Sequence, residues 1–245
     1  MKSTLDRGPT PAECWIRSGV IVVGLGLWLL TQAMLGAREF PVDSATEAKA
    51  AEALTEGDRV LGLTAAWNEH LRDNRSRADQ LLIVSSALID LVACWMFAVS
   101  IFGRTIRPFL GLLILFSLRQ LCQWISPLPA PVGMLWESPG FPSLLVTYEV
   151  ANDFFFSGHT ALAVYGGIEL ARRYGRVGLV AGVGLAVFET LAVLVLRAHY
   201  TMDVFTGVVV AMLAAFAAAQ LADRLDRVIA RWARVGSQDA ASSGK

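Results

Sequence analysis

Two short motifs hold nearly all the residues in this chain whose types and spacing could do chemistry. One reads Asn152-Asp153-Phe154-Phe155-Phe156-Ser157-Gly158-His159-Thr160, and the other His199-Tyr200-Thr201-Met202-Asp203. Between them they contain two of the protein's three histidines. On a helix, His199 and Asp203 stand four residues apart and share a face, so Asp203 can accept a hydrogen bond from one imidazole nitrogen. The other nitrogen is then free and more basic, the arrangement in which a carboxylate orients a histidine for attack or proton transfer. His159 arrives from a different segment and can supply the complementary acid or base.

The elements that must position these residues are mostly apolar. Of 245 residues, 55% are hydrophobic and 17% charged, a balance expected of a membrane protein rather than a soluble domain. Lysine plus arginine equal aspartate plus glutamate at 21 each, and no basic tract points to nucleic acid. Cys14, Cys94 and Cys122 sit in or beside apolar runs with no metal-knuckle spacing, which argues against a disulfide framework.

Apolar runs predict six transmembrane helices over 18–35, 81–102, 108–125, 157–170, 177–196 and 204–221, an all-α integral membrane protein. The first run is too long for a secretory signal core and contains Trp28. Residues 1–17 form a short head, 18–222 a single membrane catalytic domain, and 223–245 a basic amphipathic tail ending in a disordered Ser, Ala and Gly stretch. The one long polar connection, 37–80, carries a capping-box signature at Ser44 and Glu47 and an amphipathic piece from Asp58 to Leu71. His70 falls there and reads as a solvated surface residue. Residues 126–153, rich in Pro and Gly with the anchors Met134, Trp136 and Phe141, read as an ordered re-entrant or interfacial loop.

Short basic loops fix the expected orientation. Lys2, Arg7 and Arg17, Arg104 and Arg107, Arg172, Arg173 and Arg176, and Arg224, Arg227, Arg231 and Arg234 all fall on one side of the six-span scheme, which the positive-inside bias makes cytoplasmic, with both termini. Both histidine motifs then open on the opposite, non-cytoplasmic face, and the compact chain suggests a bacterial inner membrane. Arg119 lies about two turns below that face, at a depth where an arginine needs a partner or an aqueous cavity. An anionic ligand beside the histidines would serve, since the guanidinium fork matches phosphate oxygens.

The residues therefore point to phosphoryl-type transfer at the membrane surface. His199, held by Asp203, attacks phosphorus, while His159 protonates the leaving oxygen and deprotonates the incoming one. Arg119 and backbone amides near Gly158 hold the phosphate, and no metal or cofactor is required. Asp153 combines helix capping with contact to a cationic headgroup. Ser157 and Tyr200 complete the expected substrate contacts. Arg119 could instead pair with Asp90 or Glu189.

Together the SGHT and HYTMDV motifs resemble the third and fourth motifs of the sphingomyelin synthase family, the PAP2_C branch of the type 2 phosphatidic acid phosphatase superfamily. Arg119 followed by Leu128-Pro129-Ala130-Pro131 is similar to that family's arginine and Leu-Pro-x-Pro turn. The likeness covers roughly residues 104–221. It implies His159, His199 and Asp203 as a catalytic triad and a phospholipid donor passing its phospho-headgroup, phosphocholine or phosphoethanolamine, to a lipid alcohol, ceramide or diacylglycerol. The chain departs from that family at Ala151-Asn152-Asp153, where only the aspartate of a Cys-Gly-Asp matches. It departs from the wider superfamily at Val193, where a Ser-Arg pair is absent.

Three other readings stay open from the residues. A lipid phosphatase or phospholipase C-like hydrolase would use the same groups with water as acceptor. A metalloenzyme would gather His159, His199, Asp203 and Asp153 around zinc, though HExxH is absent. A transporter or scaffold would tolerate loss of His199. The expected partners are the two lipids and the bilayer, with no nucleic acid, and a homo-oligomer is compatible with the pattern.

Overall fold

The computed structural model describes residues 8–36, 43–140, 142–146, 148 and 155–243. The regular structure among them is helical: α1 (Pro11–Gly36), α2 (Ser44–Gly57), α3 (Arg59–Leu63), α4 (Ala65–Asp73), α5 (Arg75–Phe102), α6 (Arg107–Ile125), α7 (Gly158–Val195) and α8 (Thr201–Ser243).

Local chemistry sets where these helices begin. Thr10 and Glu13 form a reciprocal capping box on α1, each side chain accepting the other's backbone N–H (2.7 and 3.3 Å). Pro108 sits in the first turn of α6, where its missing N–H leaves no bond unmade. The cap of α2 is Asp43, whose carboxylate takes the N–H groups of Ala45 and Thr46, so the expected cap at Ser44 moves back one residue. A carboxylate at that position accepts both orphan donors at once. The amphipathic stretch from Asp58 breaks at Thr64 into α3 and α4. His70 is exposed there as expected. The expected disordered tail is instead part of α8, which continues without a break from the membrane segment to Ser243.

Five helices are long and apolar enough to cross a membrane: α1, α5, α6, α7 and α8 within Thr201–Val235. The expected fourth and fifth spans both lie within α7. A straight helix of 38 residues would run about 57 Å. α7 does not, because Gly175 takes φ +60° and ψ −131°, a conformation a residue with a Cβ rarely adopts. Its two halves fold back on one another, Gly167 against Gly182 and Gly178 against the Leu170 carbonyl, so closely that a Cβ would collide with facing backbone.

The buried centre is shared by all five long helices. Trp28 of α1 stacks on Phe116 of α6 (4.8 Å), surrounded by Ile89 and Met96 of α5, Leu162 of α7 and Ala211 of α8. The phenol end of Tyr165 packs against Gly111, and its hydroxyl proton is shared between the carbonyls of Arg107 and Pro108. Outside, Val22, Leu30, Val180, Val187, Leu213 and Phe216 are exposed, the distribution of a protein whose surroundings are hydrocarbon.

The chain reversals sort the molecule into two ends. The starts of α7 and α8 and the end of α6 share one end with α2, α3 and α4. At the other end, Arg17 of α1 binds the carbonyls of Ser100, Gly103 and Arg104 and the Asp226 carboxylate of α8. Beside it Glu169 of α7 pairs with Arg107 and Arg172.

Candidate active site

The two histidine motifs meet through backbone. The N–H of Ser157 donates to the carbonyl of Asp203 (3.1 Å), so the start of α7 is bonded directly to the first turn of α8. Gly207, one turn further along α8, permits this approach, because a Cβ there would stand 2.8 Å from the Ser157 carbonyl oxygen.

His199 does not sit on a helix. It lies in the turn before α8 and is buried, with its Nδ1 3.7 Å from Asp203 Oδ2. That carboxylate oxygen accepts the N–H of Tyr200 at 2.9 Å, so Asp203 caps α8 and faces the imidazole with the same atom. Its other oxygen, Oδ1, is buried without a hydrogen bond. At 3.7 Å the contact is electrostatic rather than a formed hydrogen bond, a spacing that catalytic pairs often show before substrate binds.

His159 occupies the first turn of α7, buried, with the edge of its ring against Trp136 (centroids 4.9 Å apart, planes at 90°). Its Nε2 has no hydrogen-bond partner. His199 and Arg119 are both close enough to act on it electrostatically. Arg119 reaches in from α6 and donates from Nε to the Phe156 carbonyl (3.1 Å). Gly158 makes room for it, since a Cβ there would press on the guanidinium at 3.2 Å. The carboxylates considered as alternative partners are engaged elsewhere: Asp90 accepts from Ser143, Leu144 and Leu145, and Glu189 from Ser85.

Two of the expected substrate contacts also have places in the fold. Ser157 is fully buried and caps α7 through Thr160, its hydroxyl held within the turn. Tyr200 turns its ring into an apolar cluster with Leu61, Val193 and Leu194. Burial pushes its phenol up to about 12, which keeps it a neutral donor at ordinary pH. Asp153 lies outside the described residues. Among the described residues no group of three His, Cys, Asp or Glu is placed to hold a metal ion.

Three residues that sequence reasoning passed over hold this end together. Asp58 caps α3 by accepting from Val60 and Leu61, and the same carboxylate takes both the N–H (2.7 Å) and the hydroxyl (2.6 Å) of Thr201 at the start of α8. One side chain thus fixes the polar connection to the His199 turn. Asn68, fully buried in α4, donates to the carbonyls of Val195 (2.9 Å) and Gly133 (3.1 Å). Arg197, two residues before His199 at φ +52°, donates to the Val132 carbonyl. Asp58 had a local signal, an aspartate opening an amphipathic segment, but its second helix lies 143 residues away.

A family model, AtPDCT1/2, matches this chain over residues 58–221. The chain belongs to that family. Its members are the phosphatidylcholine:diacylglycerol cholinephosphotransferases, and this corrects the sphingomyelin synthase resemblance and the phosphatidic acid phosphatase placement drawn from the short motifs. Short site motifs report the chemistry they serve, whereas the match begins at Asp58 and takes in the helices that carry the motifs. The AtPDCT1/2 match makes this protein a membrane phospholipid-headgroup phosphotransferase. No curated protein and no solved structure matches the chain.

Proposed function

We propose that the protein moves phosphocholine from phosphatidylcholine to diacylglycerol through a phosphohistidine. The supporting observation is the Ser157–Asp203 backbone bond, which sets His159, His199 and Asp203 in one buried site beside Arg119. His199 presents Nδ1 to Asp203, leaving Nε2 as the nucleophile. Nε2 attacks phosphorus, the bond to the donor's glycerol oxygen breaks, and His159 gives that oxygen its proton. Diacylglycerol then leaves. The acceptor diacylglycerol returns a proton to His159 as its hydroxyl oxygen attacks the phosphohistidine, which releases His199. Arg119, beside the α7 start, balances the charge on the phosphoryl oxygens. Ser157 serves by fixing that start.

Each half of α7 crosses the membrane separately in this scheme, giving six crossings. Both α7 and α8 then open the site on the face away from the arginine-rich turns, the non-cytoplasmic face by charge bias.

The test is transfer to labelled diacylglycerol by the purified protein in phosphatidylcholine micelles. Wild type is expected to form labelled phosphatidylcholine, and His199→Ala to lose at least about 10³-fold in rate, the scale of removing a covalent nucleophile. Soluble phosphocholine without labelled phosphatidylcholine would overturn the lipid acceptor. An unchanged His199→Ala rate would overturn the nucleophile.

A further inference from the structure

At the end remote from the histidines, α1, the α5–α6 turn and α8 enclose a cavity of about 220 Å³. Arg17, Arg104, Arg227, Arg231 and Arg234 line it, against two acids, Glu13 and Asp226. Arg17 and Asp226 are its floor, 4% and 7% exposed. They bind one another, yet each keeps a buried polar atom without a hydrogen bond: Arg17 Nε, a donor, and Asp226 Oδ2, an acceptor. Buried polar atoms left in this way are the exception in folded proteins.

The cavity also stands at a defined depth. Asp203 and Asp226 lie on the same helix 23 residues apart, about 35 Å of rise, which places the cavity across the hydrocarbon thickness from the active site. Trp15 of α1 and Trp232 of α8 are 80% and 60% exposed at this level, where indole rings mark a membrane interface.

The geometry points to a binding site for the headgroup of an anionic phospholipid, separate from the transfer site. Its arginines outnumber its acids, which selects a net negative headgroup over a zwitterionic one. The phosphate diester takes the exposed guanidiniums of Arg227 and Arg231, and a headgroup hydroxyl donates to Asp226 Oδ2. Phosphatidylglycerol has that pairing of charge and donor. Its bound acyl chains lie along the apolar faces of α1 and α8, so the lipid joins the first helix to the last.

Native mass spectrometry of the full-length protein, titrated in detergent with phosphatidylglycerol, tests this. One phosphatidylglycerol is expected to be retained, with affinity at least about tenfold weaker in the exposed double variant Arg227→Gln/Arg231→Gln. His199→Ala is expected to retain it like wild type. Equal retention by the double variant, or equal displacement by phosphatidylcholine, would overturn the site. Competition by soluble glycerol phosphate as effective as the lipid would overturn the lipid reading. Thermal unfolding supplies a second readout: phosphatidylglycerol should raise the melting temperature of wild type and leave the double variant unmoved.

Discussion

The two ends of the bundle bury comparable polar machinery in opposite ways. At the arginine end charge answers charge, apart from Arg17 Nε and Asp226 Oδ2: Arg17 spans three carbonyls and Asp226, and Glu169 is shared by Arg107 and Arg172. These contacts tie α1, α5, α6, α7 and α8 to one another. At the histidine end the ties run through the Ser157–Asp203 backbone bond and through Asp58 and Asn68, while two of the side chains that could react keep an atom without a partner, His159 Nε2 and Asp203 Oδ1. Leaving such groups unanswered costs stability, and folds carry that cost where reactivity needs it.

The largest expected effect separates the two ends directly. His159→Ala should lower transfer by about 10²- to 10⁴-fold, the range for a general acid–base, while removing no bond that the described fold depends on. Its loss of stability should stay near the edge contact with Trp136, about 1 kcal/mol. Asp226→Ala should do the reverse. Removing one partner of a buried ion pair costs about 3–5 kcal/mol, here with the Ile106 N–H also left without its acceptor. Thermal unfolding and rate per folded molecule, measured on both variants, make the cross. Equal losses on both axes would erase the distinction between the ends.

Asp58 sharpens the comparison because, unlike Asp203, it has both carboxylate oxygens bonded. Burial raises its carboxyl, but the bonds from Thr201, with those from Leu61 and Val60, outweigh this and hold it below the usual range. A group depressed in the folded state contributes stability above its unfolded value and loses it as pH falls through the folded one. Asp58 should therefore stabilise the wild type at neutral pH and release that stability on acidification below about pH 4. Asp58→Asn keeps one acceptor oxygen and has no such titration, so the gap between variant and wild type should narrow as pH falls. Asp58→Ala should cost about 1–3 kcal/mol for two lost caps and slow transfer about tenfold by loosening the His199 turn. A pH-independent gap would assign Asp58's contribution to packing alone.

How much of this was readable in sequence depended on the range of the interaction. The all-helical class and its long apolar runs follow from local composition, and so does the pairing of His199 with Asp203, four residues apart. The helix geometry assumed for that pair did not hold, because His199 precedes α8 and Asp203 spends the same oxygen on the Tyr200 N–H. Asp58 and Asn68 act on partners more than a hundred residues away, where spacing says nothing. Ser157 and Tyr200 are expected substrate contacts whose packing partners the spacing does not reveal. In the fold the Ser157 hydroxyl caps α7 and the Tyr200 ring packs with Leu61, Val193 and Leu194, its hydroxyl buried without a hydrogen bond.

The smallest effect tests whether the turn of α7 belongs to the arginine end alone. Gly175 sits at φ +60° with open space around the position of a Cβ, so Gly175→Ala meets no steric obstacle and strains only the backbone. That strain is about 1–3 kcal/mol, of the order expected for a non-glycine residue held in a sparsely populated region. Gly167 and Gly182 keep the halves of α7 in contact halfway along, and Ser157 and Asp203 lock the far end through backbone. The variant should thus lose stability in thermal unfolding while its transfer rate per folded molecule stays within about twofold of wild type. A larger rate loss would mean that strain at the arginine end reaches the histidines, and that the two ends fold as separate devices but do not work as such.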